Sequence, residues 1–297
     1  MGPHSRRRAQ DQERRGRMDI DPIRPSRWQE VGTSVLPHRP RAGGTVIDDE
    51  SLWQLRSNAC RRASRQARAL FPVPGTGRRL TMDGIDFFDV DHTLTRWSSG
   101  GRFVALAMRR RILPLRLLLV IPWYSLTYKL GVFRLRKHEK GFPYLRGMKR
   151  SALEDIARES FETRLKNDLF AGAITLVRRL REEGRHVVLA TSSIDFIVQP
   201  LADYLGVAGL LATTLEFSDD VCTGRFVGMP MFRREKKDRV LAFCAAEGVN
   251  PRECSFYSDS IYDMPLLEEV GRPVAVNPDF WLRRKARRRG WTIIEMA

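Results

Sequence analysis

The chain has 297 residues, enough for one large domain or two modest ones, and its 42% hydrophobic content is ample for a core. The formal charge of +17 favours acidic partners (phosphorylated substrates, anionic lipid surfaces or nucleic acid) without choosing among them. The four cysteines, Cys60, Cys222, Cys244 and Cys254, form no CxxC pair, which argues against a zinc site or a disulfide framework and makes a reducing cytosol the default.

Residues 1–81 read as a disordered, Arg-rich extension. Up to position 80 there are 17 Arg against 8 acidic residues, a local charge of about +9, with repeated Pro and Gly. Ser51 to Leu70 is the one stretch there with the makings of a basic helix. No apolar h-region follows the basic N-terminus, so no secretory signal is read.

The first strand is expected in Gly84–Thr95, GIDFFDVDHTLT, whose apolar run Ile85, Phe87, Phe88 and Val90 ends abruptly in Asp89, Asp91, His92 and Thr93. Buried carboxylates at a strand end are costly unless something uses them. Residues 97–168 read as an inserted helical segment, broken at Pro114, Pro122 and Pro143. From Gly100 to Arg150 a single acid, Glu139, faces 13 Lys or Arg. The uncharged apolar-rich run between Arg116 and Lys129 has 12 residues, too few for a membrane span. Ser151 and Glu154 have the spacing of a capping box.

A helix is expected over Leu169–Glu183, ended by Gly184, then a buried strand HVVLAT closing in Thr191, Ser192 and Ser193. A helix over Asp195–Leu205, a hairpin of Thr213–Phe217 with Thr223–Val227, and a helix over Glu235–Gly248 follow. The remaining elements are a strand Ser255–Ser258 running into Asp259, a helix Met264–Val270, a strand Pro273–Val276 and a very basic helix Phe280–Arg289. Strands alternating with helices predict an α/β fold: a doubly wound, Rossmann-like parallel sheet. The core is expected over 82–96 and 169–297, with the helical cap of 97–168 inserted between its first two strands.

Three strand ends, DVDHT, TSS and SDSIYD, converge on one crevice in such a sheet. They bring four carboxylates (Asp89, Asp91, Asp259, Asp263), a hydroxyl (Thr191) and an ammonium from Lys236 or Lys237. Clustered carboxylates need a cation between them, and oxygen ligands suit Mg²⁺. An ammonium and a hydroxyl beside that cation suit phosphoryl oxygens.

These motifs, in this order, resemble the haloacid dehalogenase superfamily, and within it the phosphoserine phosphatase-like subfamily IB. The likeness covers about 83–297, including VGRPVAVNPD near the end. It implies Asp89 as nucleophile and Asp91 as general acid and then base. It implies Thr191, Ser192 and Lys237, the better match of the two lysines, on the phosphate. Mg²⁺ would be held by Asp89, Asp259 and the backbone of Asp91, with Asp263 in support. The expected substrate is a small phosphorylated metabolite and the expected location the cytoplasm. A phospholipid headgroup phosphate, reached by a cap lying peripherally on the inner face of the membrane, is one alternative. A phosphomutase on the same chemistry is a second, and electrostatic nucleic-acid binding through the basic termini a third; no motif supports sequence-specific reading of bases. Ser258 stands where the family usually has Gly.

Overall fold

In the computed structural model the described residues are 84–113 and 141–296. The expected N-terminal extension, and the Leu-rich run of the cap that motivated a membrane contact, lie outside them. No helix among the described residues is long and apolar enough to cross a membrane.

Six parallel strands form one sheet in the order β3-β2-β1-β6-β7-β8. They are β1 (Ile85–Phe88), β2 (His186–Ile194), β3 (Gly209–Thr213), β6 (Ser255–Ser258), β7 (Arg272–Val276) and β8 (Thr292–Ile294). The order reverses beside β1, and in open α/β sheets ligands gather outside the carboxyl ends at that switch point. The short strands β3 and β8 flank the four expected ones. A hairpin of β4 (Leu215–Ser218) and β5 (Val221–Phe226) stands apart from the sheet.

Alternation along the strands sorts the core into two faces. On one, Phe88, Val187 and Leu189 meet Val177 and Leu180 of α3 (Ala171–Glu182) and Val198 and Leu201 of α4 (Asp195–Leu205). On the other, Ile85, Phe87, Val188 and Phe256 meet Val240 and Cys244 of α5 (Arg234–Glu247), Leu266 and Leu267 of the one-turn α6 (Met264–Leu267), and Leu282 of α7 (Phe280–Arg289). The entry to β1 is tight. Gly84 has φ +87°, and a Cβ there would lie 1.8 Å from the Glu253 carbonyl oxygen, so only glycine fits.

Between β1 and β2 in sequence lie α1 (Ser99–Arg109) and α2 (Arg150–Thr163). Phe103, Leu106, Leu153 and Ile156 from these helices share a third apolar cluster with Phe196 and Ile197 of α4 and Leu215 and Cys222 of the hairpin. The hairpin also pairs with this insertion through Gly141–Arg225 and Lys149–Val221 bridges. Arg102 grips Asp168 with two hydrogen bonds of 2.6 and 2.8 Å, tying α1 to the strand-ward end of the insertion. The capping box is not formed: α2 begins at Arg150, so Ser151 already lies inside the helix, and no side chain caps it.

Candidate active site

The chain turns sharply after β1. Asp89 still donates its N–H to the Tyr257 carbonyl of β6 (2.9 Å), so it is the last residue held in the sheet. The Val90 carbonyl then accepts from Thr93, Leu94 and Thr95 (3.3, 2.8 and 3.3 Å), and His92 takes φ +65° to close that turn. A left-handed non-glycine residue is uncommon, and here it closes the turn directly after the two carboxylates.

Asp89, Asp263 and Lys236 form the buried centre. Lys236 Nζ lies 2.8 Å from Asp263 Oδ2 and 3.2 Å from Asp89 Oδ1, and all three side chains are 6% exposed or less. The Asp89 contact is an ion pair, and Asp89 Oδ1 is a buried carboxylate oxygen with no aligned hydrogen-bond donor among the described residues. Asp263 is better served, since Ser258 Oγ also donates to its Oδ2 (2.7 Å). The residue at the usual glycine position thus adds a donor.

The lysine expected on the phosphate is Lys237, but the structure brings its neighbour Lys236, not Lys237, to the aspartates. Lys237 is partly exposed and faces Asp238 and Glu269 at 3.6 and 3.9 Å, away from the aspartates. One residue along a helix rotates the side chain by about 100°. The buried row of α5 is Lys236, Val240 and Cys244, spaced by four, so position 236 and not 237 faces the sheet.

Asp259 follows β6. Its N–H donates to Thr93 Oγ1 (3.0 Å) while that hydroxyl donates to Asp259 Oδ1 (3.3 Å), a reciprocal lock between two loops 166 residues apart in sequence. Its carbonyl accepts from Asp279 N–H (2.8 Å). Asp279 Oδ2 accepts from Ile261 N–H, and its Oδ1 from Leu282 N–H as the N-cap of α7. Asp279 therefore splints the loop that carries Asp259 and Asp263. Sequence reading noted the segment without giving this residue a role.

Thr191 is fully buried, and continuing the β1–β2 register sets it level with Val90. Its Oγ1 accepts from Ser193 N–H (3.2 Å). Ser192 is exposed. Neither Ser192 nor Ser193 caps α4, whose N-cap is Ile194. Asp91 faces this side: Oδ1 accepts from Ser99 N–H (2.7 Å) and Oδ2 from Ser193 Oγ (2.8 Å) and Ser98 Oγ (3.3 Å). Sequence reading missed the Ser98–Ser99 pair, whose contact with Asp91 depends on where α1 begins.

Burial dominates the electrostatics. It pushes Asp89 up to about 7, with Lys236 pulling the other way and Asp263 and Asp91 adding to the rise. Asp259 is raised well above the usual carboxylate range, first by burial and then by Asp89 and Asp263. For Lys236 burial opposes the charge, but Asp263 and Asp89 outweigh it and hold the ammonium firmly protonated. One lysine does not neutralise this set. The unbonded Asp89 oxygen and the mutual repulsion of Asp89 and Asp259 fit a hard divalent cation. Among the described residues no three acidic, His or Cys side chains group to hold a metal by themselves. Such an ion would need backbone or water oxygen besides two carboxylates.

The family model for haloacid dehalogenase-like hydrolases matches residues 87–268, more than half of the chain. The chain belongs to that family. Its match runs from within β1 to the end of α6 and so includes every residue of the centre just described except Asp279, which lies beyond it. Phosphoserine phosphatase SerB1 of Mycobacterium tuberculosis is 31% identical over 217 residues, covering 70% of this chain and 69% of its own. A Bordetella pertussis protein of unknown function, 31% identical, shares the fold at a TM-score of 0.64 over 72% of this chain and 99% of its own. A substrate-bound phosphoserine phosphatase, at 16% identity and a TM-score of 0.52, covers 72% of this chain and 94% of its own and shows the same fold. This member of the family is an enzyme of the phosphatase kind, a phosphoric monoester hydrolase.

Proposed function

We propose that the enzyme hydrolyses a small phosphorylated metabolite with Mg²⁺, through a phosphoryl group carried on Asp89. The observation that carries this is the Asp89 carboxylate itself: buried, with one oxygen free of hydrogen bonds and an ammonium 3.2 Å away. Such an oxygen is available to attack phosphorus, and Lys236 neutralises charge gathering beside it.

In this reading Asp89 attacks phosphorus in line, the bond from phosphorus to the leaving oxygen breaks, and that oxygen takes a proton from Asp91. Water then attacks the aspartyl-phosphate, Asp91 takes the proton of the water, and inorganic phosphate leaves with Asp89 restored. Thr191 and Lys236 hold phosphoryl oxygens. Asp263 and Ser258 hold Lys236 in place, and Thr93 and Asp279 hold Asp259. The carboxylates of Asp89 and Asp259 and the carbonyl of Asp91 would bind Mg²⁺, which when present offsets the negative charge of the phosphoryl group. The helices α1 and α2 of the insertion belong to the cap over the leaving group. The name of the Mycobacterium relative supports a small phosphomonoester as substrate.

Hydrolysis of para-nitrophenyl phosphate with and without Mg²⁺, by wild type and Asp89→Asn, tests the reading. It predicts Mg²⁺-dependent turnover lost in the variant. A fully active Asp89→Asn, or an inert wild type, would overturn it.

A further inference from the structure

We infer that Ser193, with Ser99 behind it, is a positioning residue for Asp91 and links the attitude of α1 to proton delivery at the leaving group. The inference rests on the role given to Asp91 above.

Three elements meet at the Asp91 carboxylate. It belongs to the turn after β1. Ser193 comes from the end of β2, two residues beyond Thr191. Ser98 and Ser99 form the start of α1. Ser193 Oγ donates to Asp91 Oδ2 at 2.8 Å and lies 2.8 Å from Ser99 Oγ, while Ser99 N–H donates to Asp91 Oδ1 at 2.7 Å. Ser98 Oγ adds a longer contact of 3.3 Å to Oδ2 and also caps α1 by accepting from Gly101 N–H. Ser99 is 1% exposed, so this hydroxyl pair is built into the structure and is not a surface accident.

A carboxylate that must give and later take a proton at a defined oxygen needs one rotamer. The backbone N–H of Ser99 fixes Oδ1. The Ser193 hydroxyl donates to Oδ2 and can go on donating when the transferable proton sits on a lone pair that neither tether occupies, so its contact survives both halves of the cycle. Ser99 Oγ in turn fixes the Ser193 rotamer. Because Ser99 opens α1, a shift of that helix moves both tethers of Asp91 together. Ser193 also donates its N–H to Thr191 Oγ1, so one residue orients both the proton carrier and a phosphate-side hydroxyl.

The test separates proton delivery from general damage. kcat/KM is measured for para-nitrophenyl phosphate, whose leaving group departs without help, and for glycerol phosphate, whose alkoxide does not. For Ser193→Ala the inference predicts a fall of about tenfold or more with glycerol phosphate and within about threefold with para-nitrophenyl phosphate, a fraction of the ~10²–10⁴ that general acids contribute. Ser99→Ala, which keeps the backbone tether, shows the same skew more weakly, and Ser193→Thr, which restores a hydroxyl, reverses much of it. Asp91→Asn is the reference and shows the skew most strongly. Equal losses on both substrates in Ser193→Ala, beside a skewed Asp91→Asn, overturn the positioning role and leave the mechanism standing. An unskewed Asp91→Asn overturns the acid role itself. Should Ser193→Ala fail to fold, Ser99→Ala decides alone: equal losses there contradict the inference.

Discussion

Replacing Lys236 by Met removes the ammonium at the centre and nothing else of comparable size. Its side chain is 3% exposed, and it faces Asp89 and Asp263, 6% and 3% exposed, at 3.2 and 2.8 Å. Breaking a buried pair by deleting one partner costs about 3–5 kcal/mol, because the other charge stays buried. Asp89 already sits near 7 through burial, so once the lysine is gone it retains its proton at neutral pH and part of the cost is recovered. About 3 kcal/mol is then the expected loss, or about 6–12 °C in Tm for a domain of this size. The rate should fall by about 10²–10³, as when one preorganised donor to a developing charge is removed. Lys237→Met is the control. Lys237 has only long contacts to surface acids, so stability should change by less than about 0.5 kcal/mol. Thermal melts and para-nitrophenyl phosphate turnover read both variants. If Lys237→Met is the crippled one and Lys236→Met is near wild type, the orientation of α5 described here is wrong.

Two further outcomes follow from the same geometry. Asp89 is raised from 3.8 to about 7, so between those values the native state keeps a proton that the unfolded chain has lost. The native state binds more protons there, and stability falls as pH rises through that window, by up to about 4 kcal/mol from this group. Urea unfolding without divalent cation should show a steeper fall in wild type than in Asp89→Asn, where the raised Asp259 still contributes, with Mg²⁺ flattening it; stability that climbs with pH in the difference curve would refute the assignment. Asp279→Ala removes the cap of α7 and the tether of Ile261, at 2.8 and 2.7 Å, and should cost about 1–2 kcal/mol for the cap alone. It should also raise the Mg²⁺ concentration needed for half-maximal rate, and an unchanged Mg²⁺ titration would show that Asp279 does not splint the Asp259 loop.

The carboxylates proposed for the site are legible as strand ends, because each follows a short, β-prone run that reads as a buried strand. Asp89 and Asp259 stand directly after such runs. The strands β3 and β8 were not legible, for physical reasons. They are the outer strands of the sheet and short, and apolar runs as brief as LLA and II show no period that separates strand from helix or loop. The lysine was ambiguous because α5 bears charges around its circumference, RREKKDR, and its leading turn has no apolar stripe. The row Lys236, Val240, Cys244 held the answer, but Leu241 offered an equally apolar alternative to align with Lys237. Ser98 and Ser99 escaped notice because their contact with Asp91 depends on where α1 begins, which the loop RWSSGG leaves open. The role of Asp279 depends on two loops meeting, and no local pattern records that.

In the proposed reaction phosphorus becomes bonded to Asp89. Asp91→Asn, which slows hydrolysis of the intermediate more than its formation from an activated ester, can be mixed with para-nitrophenyl phosphate and Mg²⁺, quenched in acid and analysed by peptide mass. The expected result is a burst of nitrophenolate and a phosphoryl group on the peptide containing Asp89, both absent when Asp89 is also changed to Asn. A phosphoryl group on another residue, or a burst that persists without the Asp89 carboxylate, would contradict it.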